Sequence, residues 1–147
     1  MMINFFKVAL FITTFLSISS ANAQAPDLRT FLVGEWRQVT QSPVGTRDVI
    51  VTILRPDSTF KTIIAVNGNF NDPAWQAGTW EIRNGNQLWI HNQAWFPMRT
   101  IDPYSDPMAP RRTIPVRLQP WQSWTIRVID ANHTTNESGI VATRVRR

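Results

Sequence analysis

The sequence predicts an all-β protein, an antiparallel up-and-down barrel of about eight strands with a short helical turn at its N-terminal end. Three observations lead there. Runs rich in β-branched residues follow one another from residue 47 onward, separated by turn dipeptides such as Asn67-Gly68 and Asn84-Gly85. Two of these runs alternate cleanly, Trp80 and Ile82 against Thr79, Glu81 and Arg83, and Trp124, Ile126 and Val128 against Ser123, Thr125 and Arg127. Such alternation marks strands with one buried face, and many short strands joined by tight turns close into barrels or sandwiches. Helix has little room.

In chain order, the first element is a short helical turn between Ala25 and Val33, with Pro26 near its start and Gly34 at its end. Glu35 to Gln41 is the first strand. Arg47 to Leu54 and Thr59 to Val66 form a hairpin across Arg55-Pro56-Asp57-Ser58, where Pro presets the turn dihedral and Asp bonds the backbone beyond it. Gly78 to Arg83 and Gln87 to Trp95 form a second hairpin, because Asn-Gly tolerates the two positive φ angles of a tight turn. Thr113 to Gln119, Ser123 to Asp130, His133 to Glu137 and Ile140 to Arg146 complete a set of eight or nine strands.

The N-terminal 23 residues read as a cleaved secretory signal: Lys7 supplies the positive start, Val8 to Ile18 the apolar run, and Ala21-Asn22-Ala23 the small-residue end. Their removal from the 147 residues leaves 124, one domain spanning residues 24 to 147. The apolar run is too short for a membrane-spanning helix, so the expectation is a periplasmic or secreted protein that does not span the membrane. With no cysteine, disulfides, thiolate metal sites and cysteine nucleophiles are excluded.

Beyond the leader, 13 Arg and Lys61 outweigh 10 acidic residues. The Arg are scattered rather than clustered, which argues against nucleic acid as a partner. His91 and His133 are isolated, and no hydrolase, zinc or calcium motif is present, so no catalytic residue, metal or cofactor is expected.

Seven Trp, none in the leader, are the main functional clue. Trp36, Trp80 and Trp124 fall on alternating strand faces and read as core. Trp75, Trp89, Trp95 and Trp121 lie at loop edges or on strands where either face is a candidate for burial. Trp89 and Trp95 share parity with His91, so these aromatic residues form either an exposed interaction strip or a covered face. The segment from Phe96 to Pro120 holds six of the ten Pro together with Met98, Asp102, Tyr104, Asp106 and Met108. It is either a stiff lid over the barrel mouth or a packed surface insertion.

Phe31-Leu32-Val33-Gly34-Glu35-Trp36 resembles the G-x-W start of lipocalins and the wider calycin group. Pro56-Asp57-Ser58-Thr59-Phe60 is similar to the Pro-Asp-Gly-Thr-Phe hairpin of small bacterial lipocalin-like domains. Gly78-Thr79-Trp80-Glu81-Ile82 is similar to their Gly-Thr-Trp strand, and Val141 to Arg146 to their last strand. The resemblance implies that Trp36 plugs the closed end of the barrel and that Arg144 lies across it, both structural roles. The chain lacks the cysteines, a clear T-D-Y motif and the helix after the last strand of classical lipocalins, which implies a short bacterial version.

Two functions follow. One is a non-catalytic protein that binds a small apolar or amphipathic ligand in the barrel, with Trp80, Ile82, Trp124 and Ile126 as wall and Arg127 or Tyr104 as a polar handle. The other is a filled barrel whose Trp75, Trp89, His91, Trp95, Trp121 and surface Arg hold an envelope protein, a glycan or an anionic envelope surface. The volume left in the lumen decides between them.

Overall fold

A computed structural model describes residues 27–41, 45–101, 108–110 and 112–145. The signal sequence, Asp102, Tyr104, Asp106 and Arg146 lie outside the described residues. The elements are α1 (Leu28–Leu32), β1 (Gly34–Gln41), β2 (Arg47–Leu54), β3 (Thr59–Ala65), β4 (Ala74–Arg83), β5 (Gln87–Phe96), β6 (Arg99–Ile101), β7 (Thr113–Pro115), β8 (Trp121–Asp130), β9 (His133–Asn136) and β10 (Val141–Arg144).

Eight strands close a barrel in the order β1-β10-β9-β8-β5-β4-β3-β2, every pair antiparallel. The architecture is the one the sequence predicts. The expected strand from Thr113 to Gln119 is the exception: it is cut to Thr113–Pro115 and leaves the barrel to pair with β6 as a separate ribbon. Pro115 and Pro120 bring no N–H to a ladder, which limits how far that strand extends.

The hairpin turns follow their residues. Asn84 and Gly85 both take positive φ (51° and 78°), as the Asn-Gly dipeptide predicts. In the β2–β3 turn, the Asp57 carboxylate accepts from Thr59 N (2.9 Å) and Thr59 Oγ1 (2.7 Å). These two bonds hold its pKa below the usual carboxylate value, the Thr59 hydroxyl contributing most.

Strand β4 begins at Ala74, four residues before the expected Gly78, because Gly78 sits at a bulge rather than at a strand end. Ala77 pairs with Ala94 and Gly78 with Asn92, leaving Gln93 as the extra residue. A Cβ on Gly78 would stand 1.9 Å from the His91 carbonyl oxygen, so only glycine lets β5 approach this closely.

The barrel has a closed end and a mouth. Leu32 from α1, Trp36, Leu54, Phe60, Trp80 and Ile90 are buried together at and above the closed end. Trp80 and Phe60 are the largest fully buried side chains. Covering an aromatic side chain of this size stabilises the fold by roughly 2–3 kcal/mol. The Trp36 indole donates to Leu32 O (2.8 Å) and the Trp80 indole to Arg55 O (3.0 Å), so both rings keep their N–H groups satisfied while buried.

Arg144 completes the closure. Its guanidinium lies 4.4 Å from the Trp36 ring centroid and donates to Val33 O (3.1 Å), to Phe31 O and, through Nε, to Ala131 O (3.3 Å). Gly34, at φ 138°, makes room: a Cβ there would stand 3.0 Å from Arg144 Nη1. Arg144 thus lies across Trp36 at this end of the barrel.

Candidate functional site

Above the closed-end cluster the lumen is not filled. A cavity of about 270 Å³ runs from Leu32, Trp36 and Leu54 up to Thr40, Ile64, Gln76 and Asn136 near the mouth. Strand alternation builds it. Successive inward residues Trp36, Gln38 and Thr40 on β1, Leu54, Thr52 and Ile50 on β2, and Leu88 and Ile90 on β5 all face it.

The lining mixes apolar and polar side chains along its length: Gln38 stands opposite Ala142 and Asn136 opposite Ile126, while Ile50 and Ile64 lie toward the mouth and Thr134 toward the closed end. Midway, the Thr52 and Thr62 hydroxyls bond to each other at 3.1 Å and so present little unmet polarity. The side chains of Gln38, Thr40 and Gln76 make no hydrogen bond to any other described residue, leaving donors and acceptors open to an occupant. Among the described residues lining the cavity, none is ionisable. A charged guest would lose its hydration without a counter-charge, at a cost of several kcal/mol.

Of the residues expected to form the wall, Trp124 and Ile126 line the cavity. Trp80 and Ile82 instead belong to the core cluster toward the closed end, Trp80 beneath an Arg29 guanidinium 4.9 Å from its ring. Arg127 is corrected: it pairs opposite Thr135 on the outer face, exposed, because on β8 the even-numbered Trp124 and Ile126 take the inner side. Tyr104 lies outside the described residues. Sequence reading passed over Gln38, Thr40, Thr52, Thr62, Gln76 and Thr134, because inward Thr and Gln carry the same pattern as a solvated face. The parity of Gln38 and Thr40 with Trp36 was the available signal.

The expected aromatic strip divides. Trp121 stacks on His91 (centroids 4.4 Å apart, planes 10° apart) and meets Trp89 edge-on at 6.3 Å. Arg83 caps both indoles, 4.3 Å from the Trp89 ring and 5.3 Å from Trp121. These four residues make one cluster on the outside of β4, β5 and β8.

Trp95 does not join it. The bulge at Gln93 reverses the parity of β5, so Trp95 pairs with Gln76 on the inner side of the sheet, and its indole donates to Val116 O (3.1 Å). Trp75 faces outward opposite Ile63 and Phe96, with Lys61 Nζ 5.5 Å from its ring, separate from the Trp121 cluster.

The Trp95 bond, with Val116 N donating to Met98 O (2.8 Å), ties the base of the β6–β7 ribbon. None of the ribbon's described residues lines the cavity. Where the chain returns, Asn92 donates from its backbone to Pro120 O (2.8 Å) and from Nδ2 to Gln119 O (3.0 Å), and its Oδ1 is buried without a partner among the described residues. No helix among the described residues is long and apolar enough to cross a membrane.

An eight-stranded closed barrel with a plugged end and a cavity whose described lining is uncharged defines the class of structure. Compared with family models and with curated protein sequences, the chain matches none.

Proposed function

We propose that this chain is an exported, non-catalytic binding protein of the lipocalin-like kind, which carries one small neutral amphipathic molecule in its barrel. The observation that carries the reading is the cavity of about 270 Å³, lined by Leu54, Ile90, Trp124 and Ile126 together with Gln38, Thr40 and Gln76, with no ionisable side chain in its described lining. An apolar cavity of about 150 Å³ accepts benzene, so this one suits a guest of about two fused rings or a short chain. The guest's apolar body would rest against Leu54, Ile90, Trp124 and Ile126, and its hydroxyl or amide would meet Gln38, Thr40 or Gln76. The Trp36–Arg144 closure supports the lipocalin-like assignment.

The alternative, a filled barrel that uses exposed Trp and Arg to bind a protein, glycan or anionic envelope surface, is disfavoured by this cavity. The test is calorimetric titration with naphthol and with naphthalenesulfonate, which share an apolar body and differ in charge. Naphthol is expected to bind at least tenfold more tightly. Equal or tighter binding of the sulfonate, or binding of neither, would contradict the reading.

A further inference from the structure

The exposed apolar side chains are distributed unevenly along the barrel axis. Val66 and Phe70 lie on the β3–β4 connection, Phe96 ends β5 and Met98 begins the long β5–β8 connection. All four are at the mouth, with exposures from 46% at Phe96 to 66% at Met98. At the closed end, the exposed large apolar residues among those described are Val128 and Ile129. We propose that the mouth rim docks on a lipid bilayer by shallow apolar insertion.

A bilayer fits the arrangement better than a protein partner does. A protein interface gathers its anchors into one packed patch with a polar rim. Here Phe70 and Met98 stand on separate connections around an opening, as suits contact with a plane. Among the described residues, the rim's charges are of both signs, with Arg47, Arg99, Arg112 and Arg117 alongside Asp48, Asp72 and Glu137. These offer no one-signed field, so apolar insertion rather than attraction to anionic lipid drives the contact.

The cavity reaches the same end of the barrel. An apolar guest would then pass between bilayer and lumen without crossing water. That consequence rests on the ligand reading; the docking itself does not.

The test is flotation of the chain beginning at Gln24, which contains every described element, with phosphatidylcholine vesicles. Flotation with these neutral vesicles is expected, with little change when phosphatidylglycerol or salt is added. Phe70→Asp combined with Met98→Asp, both on exposed connections, should lower the bound fraction at least tenfold, whereas Ile129→Asp at the closed end should leave it unchanged. Failure to float with either lipid would overturn the proposal and point to a protein partner. Flotation that requires phosphatidylglycerol and disappears in salt, or an equal loss with Ile129→Asp, would also overturn it. Because naphthol binding is read separately, the docking and the ligand reading can each fail alone.

Discussion

The Arg144 guanidinium lies 4.4 Å from the centroid of the Trp36 ring, directly across the β1–β10 pairing in which the two residues are register partners. This contact joins the first and last strands of the barrel and ties both to α1 through the Phe31 and Val33 carbonyls. A neutral side chain at this position would leave those acceptors without their donor and the indole face uncovered.

Arg144→Ala is therefore expected to cost roughly 2–4 kcal/mol, from lost charge-assisted hydrogen bonds and the ring contact. Arg144→Lys keeps the charge but cannot reproduce the planar fork, and should recover less than half of that loss. The midpoints of chemical denaturation measure both. A loss below about 0.5 kcal/mol for the alanine variant would place it among ordinary surface substitutions and remove the closure from the account.

Gly78→Ala puts a methyl 1.9 Å from the His91 carbonyl oxygen, on backbone that has nowhere to retreat within the β4–β5 pairing. The variant should lose about 3 kcal/mol or more, at the severe end for single substitutions. Thermal unfolding by circular dichroism reads the effect, and a melting temperature within a degree or two of the parent would show that the bulge relaxes freely.

Trp80 and Trp121 separate two uses of the same residue. Trp80 is 2% exposed in the core, whereas Trp121 is 43% exposed in the outer cluster. Trp80→Ala should cost about 3–5 kcal/mol through transfer and cavity terms. Trp121→Ala gives up its stacking on His91 and Trp89, about 0.5–1.5 kcal/mol. Urea denaturation of the two variants side by side makes the comparison, and similar losses would mean that the outer cluster is part of the core.

The pH response of the β2–β3 turn follows from Asp57. Its folded pKa is depressed by the two Thr59 bonds, so the unfolded chain takes up a proton first as acid is added. The stabilisation is complete above the ordinary value of 3.8 and is lost as pH falls through the lower folded value. Carboxyl-carbon NMR should place the Asp57 midpoint below that of Asp57 in Thr59→Val, which lacks the hydroxyl donor. Coincident midpoints would contradict the assignment.

How much of this was legible in the sequence depends on where a single residue changes parity. Alternation at Trp80 and Ile82 and at Trp124 and Ile126 gave their inward faces correctly, and the Asn84-Gly85 turn gave the β4–β5 pairing. Period-two reading cannot register one inserted residue, so the bulge at Gln93 carried Trp95 to the inner side while the pattern kept it with Trp89 and His91. The polar lining was hidden for a different reason. Thr52 and Thr62 tolerate their inward positions because each hydroxyl satisfies the other, a cross-strand fact that no single strand displays.

The central claim, that the lumen takes a small neutral guest, is tested most directly by isoleucine methyl NMR during a naphthol titration. Ile50, Ile64, Ile90, Ile126 and Ile140 line the cavity, while Ile53 and Ile63 occupy outward positions on β2 and β3 and Ile129 is exposed on β8. Saturable shifts confined to the first five are expected. Shifts confined to Ile53, Ile63 and Ile129, or none at millimolar naphthol, would contradict it.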